Sequence, residues 1–208
     1  MECPKFKISD IIDNDYDDDN HFDKESFINQ TNIPEKFINA SFGDSEIDKK
    51  IIDFCEEKLK YITMILIGDF GRGKSYAACA SMINRLNNGL NAGKYISCKY
   101  EVCPLIRTSR NFKSSMQEFD ILKKYYTIPY LVLDEIGQGD DAQIEKVFDA
   151  NVLSARYDNG KRTVITTNMD MNELCDFLGG SLKSRFKETA IPIYFNGIDI
   201  RGIMNGKT

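Results

Sequence analysis

The stretch Gly68-Asp69-Phe70-Gly71-Arg72-Gly73-Lys74-Ser75 is the part of this chain best equipped for chemistry, because it fits Gly-x-x-x-x-Gly-Lys-Ser in full. Glycines let a backbone wrap closely around a polyphosphate, successive amides point inward, and a following helix adds its positive end. The spacing therefore predicts a phosphate cradle over Gly68, Asp69, Phe70, Gly71, Arg72, Gly73, Lys74, Ser75 and Tyr76. Within it Lys74 is expected to reach the β and γ phosphates, and the Ser75 hydroxyl to bind Mg2+.

A second constellation lies about 60 residues further on, in Tyr130-Leu-Val-Leu-Asp134-Glu135, an apolar run ending in two carboxylates. That is the form of a Walker B element. Asp134 is expected in the magnesium shell, with Glu135 orienting and deprotonating the attacking water. A third polar end occurs at Thr163-Val-Ile-Thr-Thr-Asn168. Asn168 is either a sensor bonded to the water or γ phosphate, or a turn residue that caps the next helix together with Asp170.

These side chains need elements to bring them together. Tyr61–Ile67 is a short, β-branched apolar run stopped by Gly68, which suits a strand covered on both sides. Before it, Ser45 and Asp48 resemble a helix N-terminal box, and Ile47, Ile51, Ile52, Cys55 and Leu59 recur at helical spacing. Helices are expected over 74–86 and 142–157, and further strands over 94–100, 130–133, 163–167 and 191–195. Such alternation predicts an α/β fold, a parallel sheet with helices on both faces. Gly68, Asp134 and Asn168 then emerge at one C-terminal edge.

Composition narrows the class without deciding it. The chain has 208 residues, of which 42% are hydrophobic and 28% charged, as in an ordinary globular protein. Its longest apolar run, Tyr61–Ile67, is far shorter than the ~20 residues of a membrane span, and a cytosolic protein is expected. Six cysteines without a Cys-x-x-Cys pair, and the single His21, argue for reduced, mostly buried thiols and against a Cys/His zinc set.

The net charge of −5 is unevenly spread: residues 1–31 hold three Lys against nine Asp and Glu, leaving 24 basic and 23 acidic residues elsewhere. Residues 1–31 therefore read as an acidic arm and 32–208 as the catalytic domain. The run Asp13–Asn20 is not a calcium loop, since Asp18 stands where the turn needs Gly and Lys24 where a bidentate Glu is required. It is either a solvated like-charged segment or part of a partner-docking arm.

Taken in order, Ile33-Pro34-Glu35-Lys36-Phe37, the phosphate loop, Leu133-Asp134-Glu135-Ile136-Gly137, Ala155-Arg156-Tyr157, Thr166-Thr167-Asn168 and Ser184-Arg185-Phe186 resemble the DnaC/IstB-like group of AAA+ ATPases. The group includes bacterial and phage replicative helicase loaders. The resemblance, over roughly residues 32–201, implies a three-layer α/β/α P-loop domain of the AAA+/ASCE type with a five-stranded parallel sheet in the order 5-1-4-3-2. It also implies active sites at subunit boundaries of a homo-oligomer, and single-stranded DNA in a groove or pore. By the same resemblance Arg185 is the finger that reaches a neighbouring subunit's γ phosphate, the alternative being a solvated surface arginine. Arg156 either bridges subunits or pairs with Asp149 or Asp158. Arg201 matches a late arginine that contacts nucleotide, and with seven residues after it the lid domain is expected to be absent or vestigial.

The resulting expectation is a Mg·ATP hydrolase that loads a replicative ring helicase onto single-stranded DNA. A transposition helper acting on duplex DNA is the runner-up. A P-loop small-molecule kinase and a nucleotide-gated adaptor with negligible turnover are further alternatives; the Asp-Glu pair favours water as nucleophile over the kinase. For DNA contact, Lys94, Lys99, Arg107, Arg110, Lys113, Lys123 and Lys124 are interleaved with Tyr95, Tyr100, Phe112, Tyr125 and Tyr126. They form either a stacking, sequence-tolerant strand site or a pair of amphipathic helices with rings inward.

Overall fold

Five β-branched or long apolar residues in a row cannot alternate between core and water, and strand β1 (Thr63–Ile67) is accordingly buried along its whole length. The computed structural model describes residues 24–43, 45–102, 104, 106 and 122–197. The acidic run, His21, Arg107, Arg110, Phe112, Lys113 and Arg201 lie outside the described residues.

Strand β1 pairs in parallel with β4 (Arg162–Thr167) on one side and β5 (Ala190–Tyr194) on the other. Beyond β4 come β3 (Tyr130–Ile136) and then β2 (Lys94–Ser97), also parallel. The order β2-β3-β4-β1-β5 is the expected 5-1-4-3-2 counted from the other edge.

Period-two alternation divides each strand between two cores. Met64 and Leu66 join Val132, Val164 and Ile193 under α1 (Lys24–Thr31), α2 (Glu46–Cys55) and α3 (Lys74–Asn87). Ile65 and Ile67 join Leu131, Leu133 and Ile165 under α4 (Ala142–Asp158), α5 (Met171–Leu178) and α6 (Gly180–Thr189). The result is a three-layer α/β/α sandwich. Each fully buried Ile or Leu contributes roughly 1.5–3 kcal/mol, so the central strands anchor the sheet edge on which the functional groups stand.

Local signals place several helix starts. Ser45 caps α2 by accepting from the Asp48 amide at 3.1 Å, and Asp170 with Glu173 makes a reciprocal capping box on α5. Helix α2 ends at Cys55, so Leu59 packs on the core from beyond it. Helix α1 falls in the stretch assigned to the arm, and its Phe27 is buried in the core beside α2 and α3 residues.

Two sequence expectations are corrected. Strand β2 stops at Ser97 rather than Tyr100, and Cys98–Val102 winds into a π-helical turn. Local capping competes with the sheet there: Glu101 Oε1 accepts from the Ser97 amide at 3.0 Å, and Ser97 Oγ accepts from the Tyr100 amide at 3.4 Å. Arg156 pairs with neither Asp149 nor Asp158. Buried at 1% exposure, it donates to Thr163 Oγ1 (2.8 Å) and to the carbonyls of Tyr125 (2.6 Å), Ile128 (2.9 Å) and Arg162 (2.6 Å). Its guanidinium is thus committed within the subunit, tying the residues before β3 to β4. Among the described residues no helix is long and apolar enough to cross a membrane.

Candidate nucleotide site

The phosphate loop joins the end of β1 to the start of α3, and its glycines have specific reasons to be there. A Cβ on Gly68 would stand 2.5 Å from the carbonyl oxygen of Phe195, because the chain leaving β5 runs against the loop. Gly73 caps α3 with φ 87°, a left-handed conformation that suits glycine. The 14-residue helix then opens at Lys74 with its positive end toward the loop.

Lys74 is buried, and its ammonium makes three hydrogen bonds: to the carbonyls of Gly68 (2.6 Å) and Asp69 (2.8 Å), and to Asn168 Oδ1 (2.7 Å). Asn168 therefore meets the loop directly, whereas the capping task on α5 belongs to Asp170.

One pocket gathers most of the expected residues. Phe70, Gly71, Arg72, Gly73, Lys74, Ser75 and Tyr76 line it from the loop and helix, Glu135 from β3, and Asn168 from the end of β4. Phe37, Thr166 and Thr167 complete the wall. Asp69 contributes its carbonyl to Lys74, while its exposed carboxylate lies 3.4 Å from Arg72, a pair worth little in water. Tyr76 is fixed at the pocket rim: its hydroxyl accepts from the Ser41 amide at 3.1 Å, and Phe37 meets its ring edge-on at 6.2 Å.

The acidic pair is held by groups that spacing alone did not single out. Asp134 is not among the pocket-lining residues; 3% exposed, it adjoins the wall through Thr166, with Oδ2 accepting from the Tyr95 hydroxyl and Oδ1 from Thr166 Oγ1 at 2.6 Å. Burial first, and then the Asp134 charge, push the Tyr95 hydroxyl far above its ordinary range, so it stays a donor. Thr166 Oγ1 also accepts from the Glu135 amide at 2.9 Å, which couples the two acids through one hydroxyl. Glu135 itself has φ 62°, in the register shift between the Leu133 and Ile136 pairings of β3 with β4. A non-glycine residue in that region costs on the order of 1–3 kcal/mol and persists only when its surroundings hold it. They do: Thr167 Oγ1 donates to the Ile136 carbonyl at 3.0 Å, and Glu145 accepts from the Gly137 and Gly139 amides at 2.6 and 2.8 Å.

Ser75 and Asp134 offer hard oxygen donors of the kind Mg2+ takes. The Asp134 carboxylate, oriented by two donors, keeps lone pairs for a hydrated cation, so the donor set fits the ion.

Arg185 is not among the residues lining the pocket. It projects from α6 with its guanidinium 4.8 Å from the Tyr157 ring and 3.5 Å from Asp158, and its Nη1 is buried without a hydrogen-bond partner. Of the described rings in the basic segment, Tyr95 is tied to Asp134 and Tyr125 packs edge-on against Phe148. Tyr126 also packs on the core, whereas Tyr100 is exposed, with Lys99 over its ring at 4.9 Å. Tyr95, Tyr125 and Tyr126 thus follow the rings-inward arrangement.

The model of the family described as IstB-like ATP binding protein matches residues 45–183, which contain the loop, both acids and Asn168. The chain belongs to this family. Among curated relatives of this IstB-like protein, the replicative helicase loader DnaC of Escherichia coli K12 is 27% identical over 146 residues, 70% of this chain and 58% of DnaC. The match thus spans less than two thirds of that relative. Among solved structures, the crystal structure of the DnaC helicase loader superposes with a TM-score of 0.62 at 20% identity, covering 78% of this chain and 100% of that one. The replication initiator DnaA bound to AMPPCP and single-stranded DNA gives 0.61 at 16% identity, over 80% of this chain and 51% of DnaA. Both likenesses establish the AAA+ fold, and the family is one of ATP-binding proteins.

Proposed function

We propose that this chain hydrolyses Mg·ATP and uses the bound triphosphate to hold a replicative ring helicase on single-stranded DNA. The observation that carries the reading is the convergence of Lys74, Glu135 and Asn168 on one pocket, with Asp134 hydrogen-bonded to Thr166 of its wall. Lys74 and the loop amides bind the β and γ phosphates, with Lys74 exchanging its carbonyl and Asn168 acceptors for phosphate oxygens. Ser75 and Asp134 would hold Mg2+, which supplies charge neutralisation at the phosphates when bound. Glu135 orients a water and takes its proton, and Asn168 fixes the water or the γ phosphate opposite Lys74. Phe37, Phe70 and Tyr76 supply an apolar rim suited to the base. Among the other cradle residues, Gly68, Gly71 and Gly73 permit the close approach, and Asp69 and Arg72 stand at its exposed edge. Arg201 is proposed as a further nucleotide contact.

Arg185 reads as the residue that acts in trans. It lies outside its own subunit's pocket, and a guanidinium over the Tyr157 ring and beside Asp158 has the planar fork that suits a phosphate brought by a second copy. Hydrolysis would then cut the tie between subunits and release the partner. Helicase loading is favoured by the DnaC relative, and within the acidic arm 1–31 the residues before helix α1, 1–23, are the proposed docking segment. The family name favours a second reading, a transposition helper that grips duplex DNA.

The deciding experiment mixes the full chain with ATP, Mg2+ and a ring helicase on single-stranded or duplex DNA. Helicase retention that needs ATP, residues 1–23 and single strands supports loading. Retention on duplex DNA without helicase supports the helper, and ATP-independent retention contradicts both.

A further inference from the structure

On the α4 side of the sheet, three ionisable side chains from two distant stretches, none of them lining the nucleotide pocket, meet in the interior. Cys98 opens the π-helical turn after β2, and Glu145 and Asp149 stand one turn apart on α4. All three are fully buried, and one ligand atom from each lies within 4.8 Å of the others. The carboxylate of Glu145 is held by the Gly137 and Gly139 amides. Asp149 Oδ1 accepts from Cys98 Sγ at 3.7 Å, but Asp149 Oδ2 has no hydrogen-bond partner. A buried carboxylate oxygen with nothing to bond is costly and rare, and it calls for an unplaced proton, water or ion.

We propose that Cys98, Glu145 and Asp149 bind a divalent cation of the zinc class, separate from the magnesium of the nucleotide site. The donor set selects the ion. A thiolate disfavours Mg2+ and Ca2+, whereas one sulfur with two carboxylate oxygens suits Zn2+ or Co2+. Spacing of four residues puts both acids on one helix face, toward the end of β2 where Cys98 stands. Glu145 is pre-oriented by two backbone donors, as metal-binding carboxylates commonly are, and its oxygens keep lone pairs for the ion. Binding replaces the Cys98 thiol proton, which leaves to solvent, with a sulfur–metal bond, and the cation offsets two of the three negative charges then borne by the thiolate and the carboxylates. It thereby pins the start of α4, the turn after Glu135 and the end of β2 to a single point.

The test uses the full chain, purified without chelator and titrated with Co2+ in excess Mg·ATP. The expected result is about one cobalt per chain with a near-ultraviolet thiolate-to-cobalt charge-transfer band, and a rise in Tm with Zn2+. Both signals are lost in Asp149→Asn and Cys98→Ser and kept in Cys175→Ser. If Cys98→Ser fails to fold, Asp149→Asn decides the matter, a cobalt band unchanged in it overturning the proposal. A wild-type protein with neither band nor Tm response, as when Asp149 merely holds a proton, overturns the proposal. So does a band that persists in Cys98→Ser.

Discussion

Lys74 Nζ and Asn168 Oδ1, 94 positions apart in the chain, are hydrogen-bonded at 2.7 Å. The bond joins the phosphate loop to the far end of β4 across the sheet edge, and it supports the proposed role of Asn168 in nucleotide turnover. Asn168→Ala should lower steady-state ATP turnover by roughly ten- to a hundredfold while changing nucleotide affinity by less than about tenfold. Turnover equal to wild type would remove Asn168 from the site.

Glu135 is held at φ 62° by the threonines of β4, a conformation that aims its carboxylate into the pocket. Glu135→Gln should keep ATP affinity and cut turnover by on the order of 10²–10⁴, the usual worth of a general base. Single-turnover hydrolysis checks this, and a burst at the wild-type rate would show that the base is another group.

The trans assignment of Arg185 has its own signature. Arg185→Ala alone should lose on the order of 10³-fold in turnover, as expected of an arginine finger, with ATP affinity intact. Mixing it with Glu135→Gln should restore part of the activity, since one interface of a mixed assembly then carries both intact groups. No recovery on mixing, together with weaker binding by the Arg185→Ala chain, would place the arginine in cis.

Tyr95 and Thr166 hold the two oxygens of Asp134 from opposite sides. Tyr95→Phe removes one of these donors without adding bulk, and should raise the Mg2+ concentration needed for half-maximal turnover several-fold while costing about 1 kcal/mol of stability. A loss of stability with an unchanged magnesium requirement would make Tyr95 a packing residue only.

Arg156 bonds to four acceptors inside the subunit. Removing it leaves buried carbonyls unpaired, so Arg156→Met should destabilise by roughly 2–5 kcal/mol in urea unfolding, independent of protein concentration. A variant of normal stability that fails to oligomerise would return Arg156 to the subunit boundary.

Most of the site was legible because its chemistry is local: Gly68, Gly73, Lys74 and Ser75 sit in one loop, and the loop needs a strand before it and a helix after it. Asp134 and Asn168 were legible because apolar runs ending in polar residues mark the C-terminal edge of a parallel sheet. The supports were not, since they depend on register. Nothing in the spacing shows that Tyr95, one residue into β2, faces Asp134, which itself pairs with Ser97. Nor does it show that Thr166 bridges two adjacent acids across a bulge. Strand β2 was read too long because Tyr100 is a good strand former, and the Glu101 side chain that ends it acts through a hydrogen bond that propensity does not contain. The cluster of Cys98, Glu145 and Asp149 is hidden in the sequence for the same reason, Cys98 being about 50 residues from the two acids that share α4.

The most direct test of the nucleotide site is calorimetric titration of Mg·ATP into the wild-type chain and into Lys74→Ala. The account predicts binding of about one ATP per chain, weakened at least a hundredfold in the variant, because a charge-assisted contact to two phosphates is lost from a buried position. Absence of heat with the wild type, or equal affinity in the two proteins, would contradict it.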